Sequence, residues 1–295
     1  MGATRGKFGF IGGASLIVDC HTHCWRYPGH LSDDFVQEAN ARSRGHRLDL
    51  DVSPEKHWGA MKGVDRAIVF GMRAQHSGIL TPNEFIAEYV NRFPEKLIGF
   101  AGVDPAVDDV QTTLQRAVEL GLRGVKLGPI YQNVHPHDER MLSVYQFCED
   151  HSLPIMIHQG TTFPRKAPLK YSFPLLLEDV ALQFPKLKMV IAHLGHPWID
   201  DTLVLIRKQP NLYSDISALH YRPWQFYNAL ISAKEYGVLD KILFGSDYPF
   251  TTPEASITAL RNFNNMVQGT QLPRLDESDI DRLIESPSLS CLGLE

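Results

Sequence analysis

The chain is poor in the features that mark several large protein classes. Its four cysteines, Cys20, Cys24, Cys148 and Cys291, lack the spacing of a disulfide framework. A reducing cytoplasm is the simplest compartment for them. No apolar run reaches membrane-spanning length, so no membrane partner is expected. No basic cluster stands out, and the formal net charge of −5 argues against a nucleic-acid surface. Residues 1–15 carry Arg5 and Lys7 but only a short, glycine-broken apolar stretch, too little for a secretory signal. They are expected to form a loosely attached arm before one domain over 16–295. No Gly-rich phosphate loop follows an early strand, which weighs against an open dinucleotide-binding sheet. Internal repeats and low-complexity tracts are also missing. A small molecule is the partner these absences leave.

What is present is a regular alternation of short apolar runs and amphipathic stretches. Leu16 to Asp19, Arg66 to Gly71, Leu97 to Val103, Gly124 to Gly128, Pro154 to His158, Met189 to His193, Leu212 to Ile216 and Ile242 to Asp247 read as strands. Between them, apolar residues recur at helical spacing, as in Phe85, Tyr89 and Phe93, or Ile199, Leu203 and Ile206. Ser53 with Pro54, and Thr81 with Pro82, are helix starts. Apolar strands without polar alternation fit burial on both faces. Eight such strands, alternating with helices, predict an α/β fold, a distorted (β/α)8 TIM barrel. Residues 25–52 read as a long excursion over the mouth, with a short helix near Asp34 to Ala41. A final helix over Ser278 to Glu285 precedes an apolar tail, Leu289 to Leu294, expected to pack under or against the barrel.

In such a barrel the chemistry sits at the carboxyl ends of the strands. The first strand leads into Asp-Cys-His-Thr-His, residues 19–23. Side chains alternate along a strand, so His21 and His23 share a face, Thr22 points the other way, and Cys20 faces away from the pair. Two imidazoles on one face can grip a divalent ion. At equivalent strand ends stand Lys126, His158, His193 and Asp247. Each alone reads as a satisfied histidine, a surface lysine or a turn former; together they point to one rim.

These pieces resemble the amidohydrolase superfamily, in the branch containing aminocarboxymuconate-semialdehyde decarboxylase. The matching segments are residues 19–23, Gly-Val-Lys-Leu-Gly at 124–128, His158, Ile-Ala-His-Leu-Gly at 191–195 and Leu-Phe-Gly-Ser-Asp-Tyr-Pro at 243–249. The resemblance implies a metal site with His21, His23, His158 and Asp247 as ligands. It makes His193 either a second-metal ligand or a substrate-facing acid–base residue. Neutral imidazoles with one carboxylate suit zinc first, then manganese or iron. A divalent ion with an open position acidifies water toward neutrality. Asp247 could then take and return a proton, and His193 could polarise a carbonyl or stabilise an oxyanion. Lys126 is either carboxylated, bridging two metals, or an ammonium that pairs with a substrate carboxylate. The second is preferred, since this branch resembles one-metal enzymes.

His196, Tyr131, Arg26 and Trp25 are the further candidates for substrate contact, each with a packing or capping role as its alternative. His135 and His137 are expected to be solvated, and His46, His57 and His220 structural. Barrels of this kind often dimerise, though no patch in the sequence specifies it. The leading expectation is a metal-dependent hydrolase of a small carboxylate, lactone, ester or amide. The second is a non-oxidative decarboxylase of an aromatic or unsaturated acid. A barrel that binds a ligand without catalysis is the third; the complete ligand set weighs against it.

Overall fold

Among the described residues, eight strands lie parallel and are hydrogen-bonded in chain order. They are β1 (Val18–His23), β2 (Arg66–Phe70), β3 (Leu97–Gly102), β4 (Val125–Leu127), β5 (Ile155–Ile157), β6 (Met189–Ile191), β7 (Leu212–Asp215) and β8 (Ile242–Leu243). This computed structural model describes residues 16–43 and 47–295. The arm expected over 1–15, and His46, lie outside the described residues. Past Leu243 the chain leaves regular strand geometry but stays beside β1. Cys20 N–H donates to Phe244 O at 2.9 Å, Asp247 N–H to His21 O at 2.8 Å, and His23 N–H to Tyr248 O at 2.8 Å. The ring is thus nearly closed, as a distorted TIM barrel should be.

Burial on both faces of the sheet explains the unalternating strands. Ala67, Val69, Val125, Leu127, Ile155, Ile157, Met189 and Ile191 pack outward beneath the helices. Ile68, Phe70, Ile98, Phe100, Met156, Val190 and Leu243 pack inward. Each large side chain so buried contributes about 1.5–3 kcal/mol. The tail behaves as expected: Ser288–Leu292 is a short helix, and Leu289, Leu292 and Leu294 join the inner cluster. It lies at the amino end of the barrel, where Gly293 approaches Lys188, the residue before β6. The excursion over 25–52 holds the helix Asp33–Ala41, capped by Ser32. Its Trp25, Phe35, Leu50 and Val52 form a separate apolar cluster with Met72, Ile79 and Ala167.

Several boundaries differ from expectation. β1 runs to His23, so the histidine pair lies inside the strand instead of after it. Its pairing with β2 shifts register between Asp19 and Thr22. That irregularity breaks strict alternation, and Cys20 falls in the inner cluster instead of facing away from the histidines. Thr22 does point outward, donating to Ile68 O at 2.6 Å. β8 is short because the chain needs Gly245 at a close crossing: a Cβ there would meet the His21 Cβ at 3.0 Å. The helix Asn83–Val90 stops before Phe93. No helix among the described residues is long and apolar enough to cross a membrane.

Candidate metal centre

The carboxyl ends of the strands bring the polar residues together at the floor of a cavity of about 470 Å³. His21, on β1, reaches inward until its Nε2 is 3.4 Å from Asp247 Oδ1. His23 Nε2 meets the same oxygen at 3.4 Å. The His193 ring stacks on that of His21, with centroids 4.8 Å apart. Ligand-capable atoms of His21, His193 and Asp247 all lie within 4.8 Å of one another. His158 stands at the edge of the group, its ring 5.1 Å from that of His193. Its Nε2 is 3.1 Å from Thr161 O, which leaves Nδ1 as the nitrogen free for another partner.

Two of these residues are held in unusual backbone. His193 has φ 57° and Asp247 φ 63°, in the left-handed region that costs a non-glycine residue energy. Leu194 and Ala218, beside the same cavity floor, share it. Such strain persists only where the surroundings over-determine it. Asp215, wholly buried at the end of β7, is one cause. Its Oδ2 is 2.8 Å from His21 Nδ1, and its Oδ1 accepts from His193 N–H at 3.1 Å and Ser217 N–H at 2.9 Å. Ser217 Oγ also donates to Asp215 Oδ1 and lies 2.7 Å from His193 Nδ1. One carboxylate therefore orients two imidazoles, fixing which nitrogen of each is turned to the cavity.

Burial sets the protonation states. It holds His21, His23 and His193 far below the ordinary imidazole range, with the nearby Lys126 charge adding to it, and His158 falls to about 3. All four are neutral near pH 7, as metal ligands must be. Burial pushes the Asp247 carboxyl upward, opposed by the Lys126 ammonium. It also drives Lys126 down to about 8, opposed by Asp215 and Asp247. Lys126 is 1% exposed; its Nζ sits 4.8 Å over the Phe70 ring and 3.5 Å from His21 Nε2.

The donor set fits a divalent ion. Neutral imidazoles and a carboxylate converge, and the His21 nitrogen away from the cluster already rests on Asp215, the usual carboxylate–histidine support of a metal ligand. Of the other candidates, Trp25 lines the cavity and stacks on His23, with centroids 4.4 Å apart. Tyr131 lines it too, its hydroxyl accepting from Thr162 and its ring edge-on to His158. His196 is in the lining, burial holding it near 4. Arg26 is not. Its side chain is 48% exposed and paired with Asp51 at 2.7 Å, because the extended chain that aims Trp25 inward aims its neighbour out. Two groups that sequence reasoning passed over matter here. Asp215 stands at a strand end as Asp247 does, so the positional argument could have found it; Arg222, in the following loop, offered no periodic signal.

No curated protein matches the chain. Solved structures share its fold. One is an uncharacterised TIM-barrel protein from Bordetella bronchiseptica, 20% identical, TM-score 0.73, covering 94% of this chain and 99% of that one. A second is an amidohydrolase from Burkholderia multivorans with bound zinc, 14% identical, TM-score 0.65, covering 95% and 100%. A third is a dihydroxybenzoic acid decarboxylase from Polaromonas sp. JS666 with bound manganese and an inhibitor, 15% identical, TM-score 0.62, covering 95% and 97%. The Amidohydrolase family model matches residues 18–283, from β1 to the last long helix, and the chain belongs to that family.

Proposed function

We propose that the protein is a metal-dependent hydrolase of a small carboxylate, lactone, ester or amide. The convergence of His21, His193 and Asp247 at the cavity floor, with His23 on the same Asp247 oxygen, carries this reading. His21, His23 and Asp247 would hold one divalent ion, zinc before manganese, with His158 Nδ1 or His193 completing the set. When bound, such an ion supplies Lewis-acid polarisation and lowers the pKa of water.

The chain's own groups do the rest. Asp247, made a stronger base by burial, takes a proton from the attacking water as the new C–O bond forms. It returns that proton to the leaving oxygen or nitrogen as the scissile bond breaks. His193, whose Nδ1–H donates to Ser217 Oγ, turns its Nε2 lone pair to the cavity as an acceptor for the attacking water or as a ligand, while negative charge develops on the carbonyl oxygen. The buried Lys126 ammonium favours the same negative charge. The apolar lining excludes bulk water and strengthens each of these interactions.

A decarboxylase is the second reading, supported by the fold shared with decarboxylases such as the manganese-containing dihydroxybenzoic acid enzyme. Metal-loaded protein, screened against lactones, esters, amides and aromatic acids, separates the two. Hydrolysis that incorporates one solvent oxygen, and stops on chelation, is the expected result. Release of carbon dioxide without consumption of water would give the second reading first place.

A further inference from the structure

The cavity floor is rich in hydrogen-bond acceptors. His21 commits its Nδ1–H to Asp215, His193 its Nδ1–H to Ser217 and His158 its Nε2–H to Thr161 O, so the other nitrogen of each carries a lone pair. Asp247 adds carboxylate oxygens. His193, expected from the sequence to stabilise an oxyanion, therefore has no proton to offer one. Lys126 is a donor, but it is sealed beneath the cluster and directed at His21 Nε2. An oxygen that gains charge during attack needs a donor on the cavity side of these groups.

Tyr131 supplies one. It lines the cavity, its ring lies edge-on to His158 with centroids 4.8 Å apart, and the Asp247 charge acts on its hydroxyl. That hydroxyl accepts from Thr162 Oγ, which occupies a lone pair and leaves its own proton for another acceptor. Burial pushes the phenol upward, with Asp247 adding to it against the Thr162 bond, so it keeps that proton near pH 7. The backbone beneath is held with unusual thoroughness. Tyr131 belongs to a single buried turn, Pro129–Gln132. Gln132 Oε1 accepts from Gly128 N–H at 3.2 Å, and its Nε2 donates to Arg73 O and Val103 O at 2.8 and 2.7 Å. Ser77 Oγ donates to Tyr131 O at 2.7 Å. Residue 128 is glycine because a Cβ there would lie 3.0 Å from Tyr131 Cδ2 and closer still to Met72 Cε. These contacts fix where the ring lies, and a donor placed in advance costs no reorganisation during reaction. Arg222 is the rival donor, since its charge also acts on Asp247. It is half-buried over the Tyr221 ring and already donates to Ala218 O.

We propose that the Tyr131 hydroxyl, aimed by Thr162, donates a hydrogen bond to the substrate oxygen that becomes negatively charged; this deepens the metal-end reading above and rests on it. Methylphosphonate, a tetrahedral anion, is the probe for that charged oxygen, titrated calorimetrically into zinc-loaded protein. Tyr131→Phe should bind it about tenfold to a hundredfold more weakly, the range of a hydrogen bond to a charged group, with zinc content and melting temperature unchanged. Thr162→Val should weaken binding about threefold to tenfold in the native background and no further in Tyr131→Phe, while Thr162→Ser keeps native binding. The proposal is overturned if the native protein does not bind methylphosphonate, if Tyr131→Phe binds it as tightly, or if Arg222→Gln alone abolishes binding that Tyr131→Phe retains. Loss of zinc from Tyr131→Phe would also overturn it, since Tyr131 would then be holding His158 for the metal. Chelator-stripped protein separates the two readings. If methylphosphonate binds equally with and without zinc and Tyr131→Phe still weakens it, the donor stands and the metal-end reading falls. If binding needs zinc and ignores Tyr131→Phe, the metal end stands and the donor falls.

Discussion

The two ends of this barrel interior are built from the same strands and do opposite things. At the amino end, Val18, Ile68, Ile98, Met156, Val190 and Leu243 interlock with Leu289, Leu292 and Leu294 from the tail. At the carboxyl end stand His158, two residues past Met156, His21 and His193, three past Val18 and Val190, and Asp247, four past Leu243, with Lys126 and Asp215 on neighbouring strands. Met156 and His158 are two residues apart, and so are Val190 and Ala192, with His193 next. The apolar end makes stability and asks only for volume. The polar end concentrates buried charge, left-handed backbone and desolvated imidazoles, all of which cost stability. The difference teaches that the barrel separates holding from reacting along its axis, and substitutions at the two ends should separate in the same way.

The largest expected effect is at the polar end. Asp247→Asn removes the proposed ligand and proton carrier, and should lower kcat by about 10²–10⁴-fold while the melting temperature changes little or rises. A fall in activity matched by a fall in melting temperature would mean that Asp247 holds the fold and not the reaction. Next is Met156→Ala at the apolar end, expected to cost about 2–5 kcal/mol in urea unfolding with bound metal retained. Loss of metal at full stability would erase the distinction between the ends.

Asp215→Asn tests the seam between them. It keeps the volume but weakens the hold on His21 Nδ1, so metal affinity should fall about 10–100-fold by competition with a chelator. Unchanged affinity would make Asp215 a packing residue. The smallest effect near pH 7 concerns His57, whose Nε2 lies 2.9 Å from Thr22 Oγ1 on the outer side of β1. Burial lowers it from 6.5 to about 3. Between those values the unfolded chain binds a proton that the folded chain does not. Stability is therefore full above pH 6.5 and falls as pH drops toward 3, by up to about 1.4 kcal/mol per unit. Melting temperatures across that range should fall less steeply in His57→Gln; parallel curves would contradict the assignment.

How much of this could be read in advance follows from where each signal lies. The strands were legible because double burial writes itself as short apolar runs. His21, His23, Lys126, His158, His193 and Asp247 were legible because a strand end is a fixed place in a barrel. The inward turn of Cys20 was not, since it depends on a register shift that periodicity does not record. Arg26 was placed by proximity to His23, but its direction is set by pairing with Asp51, 25 residues away. Arg222 lies in a loop whose course depends on the left-handed Ala218, and no spacing rule reaches it.

The central claim is that His21 and its partners at the carboxyl rim hold a metal ion while the amino-end plug does not participate. Metal per chain, measured by plasma mass spectrometry after zinc loading and dialysis, tests it in three proteins whose folding is checked by circular dichroism. The account predicts one equivalent in the native protein, one in Met156→Ala and none in His21→Ala. A folded His21→Ala protein that retains a full equivalent would contradict it.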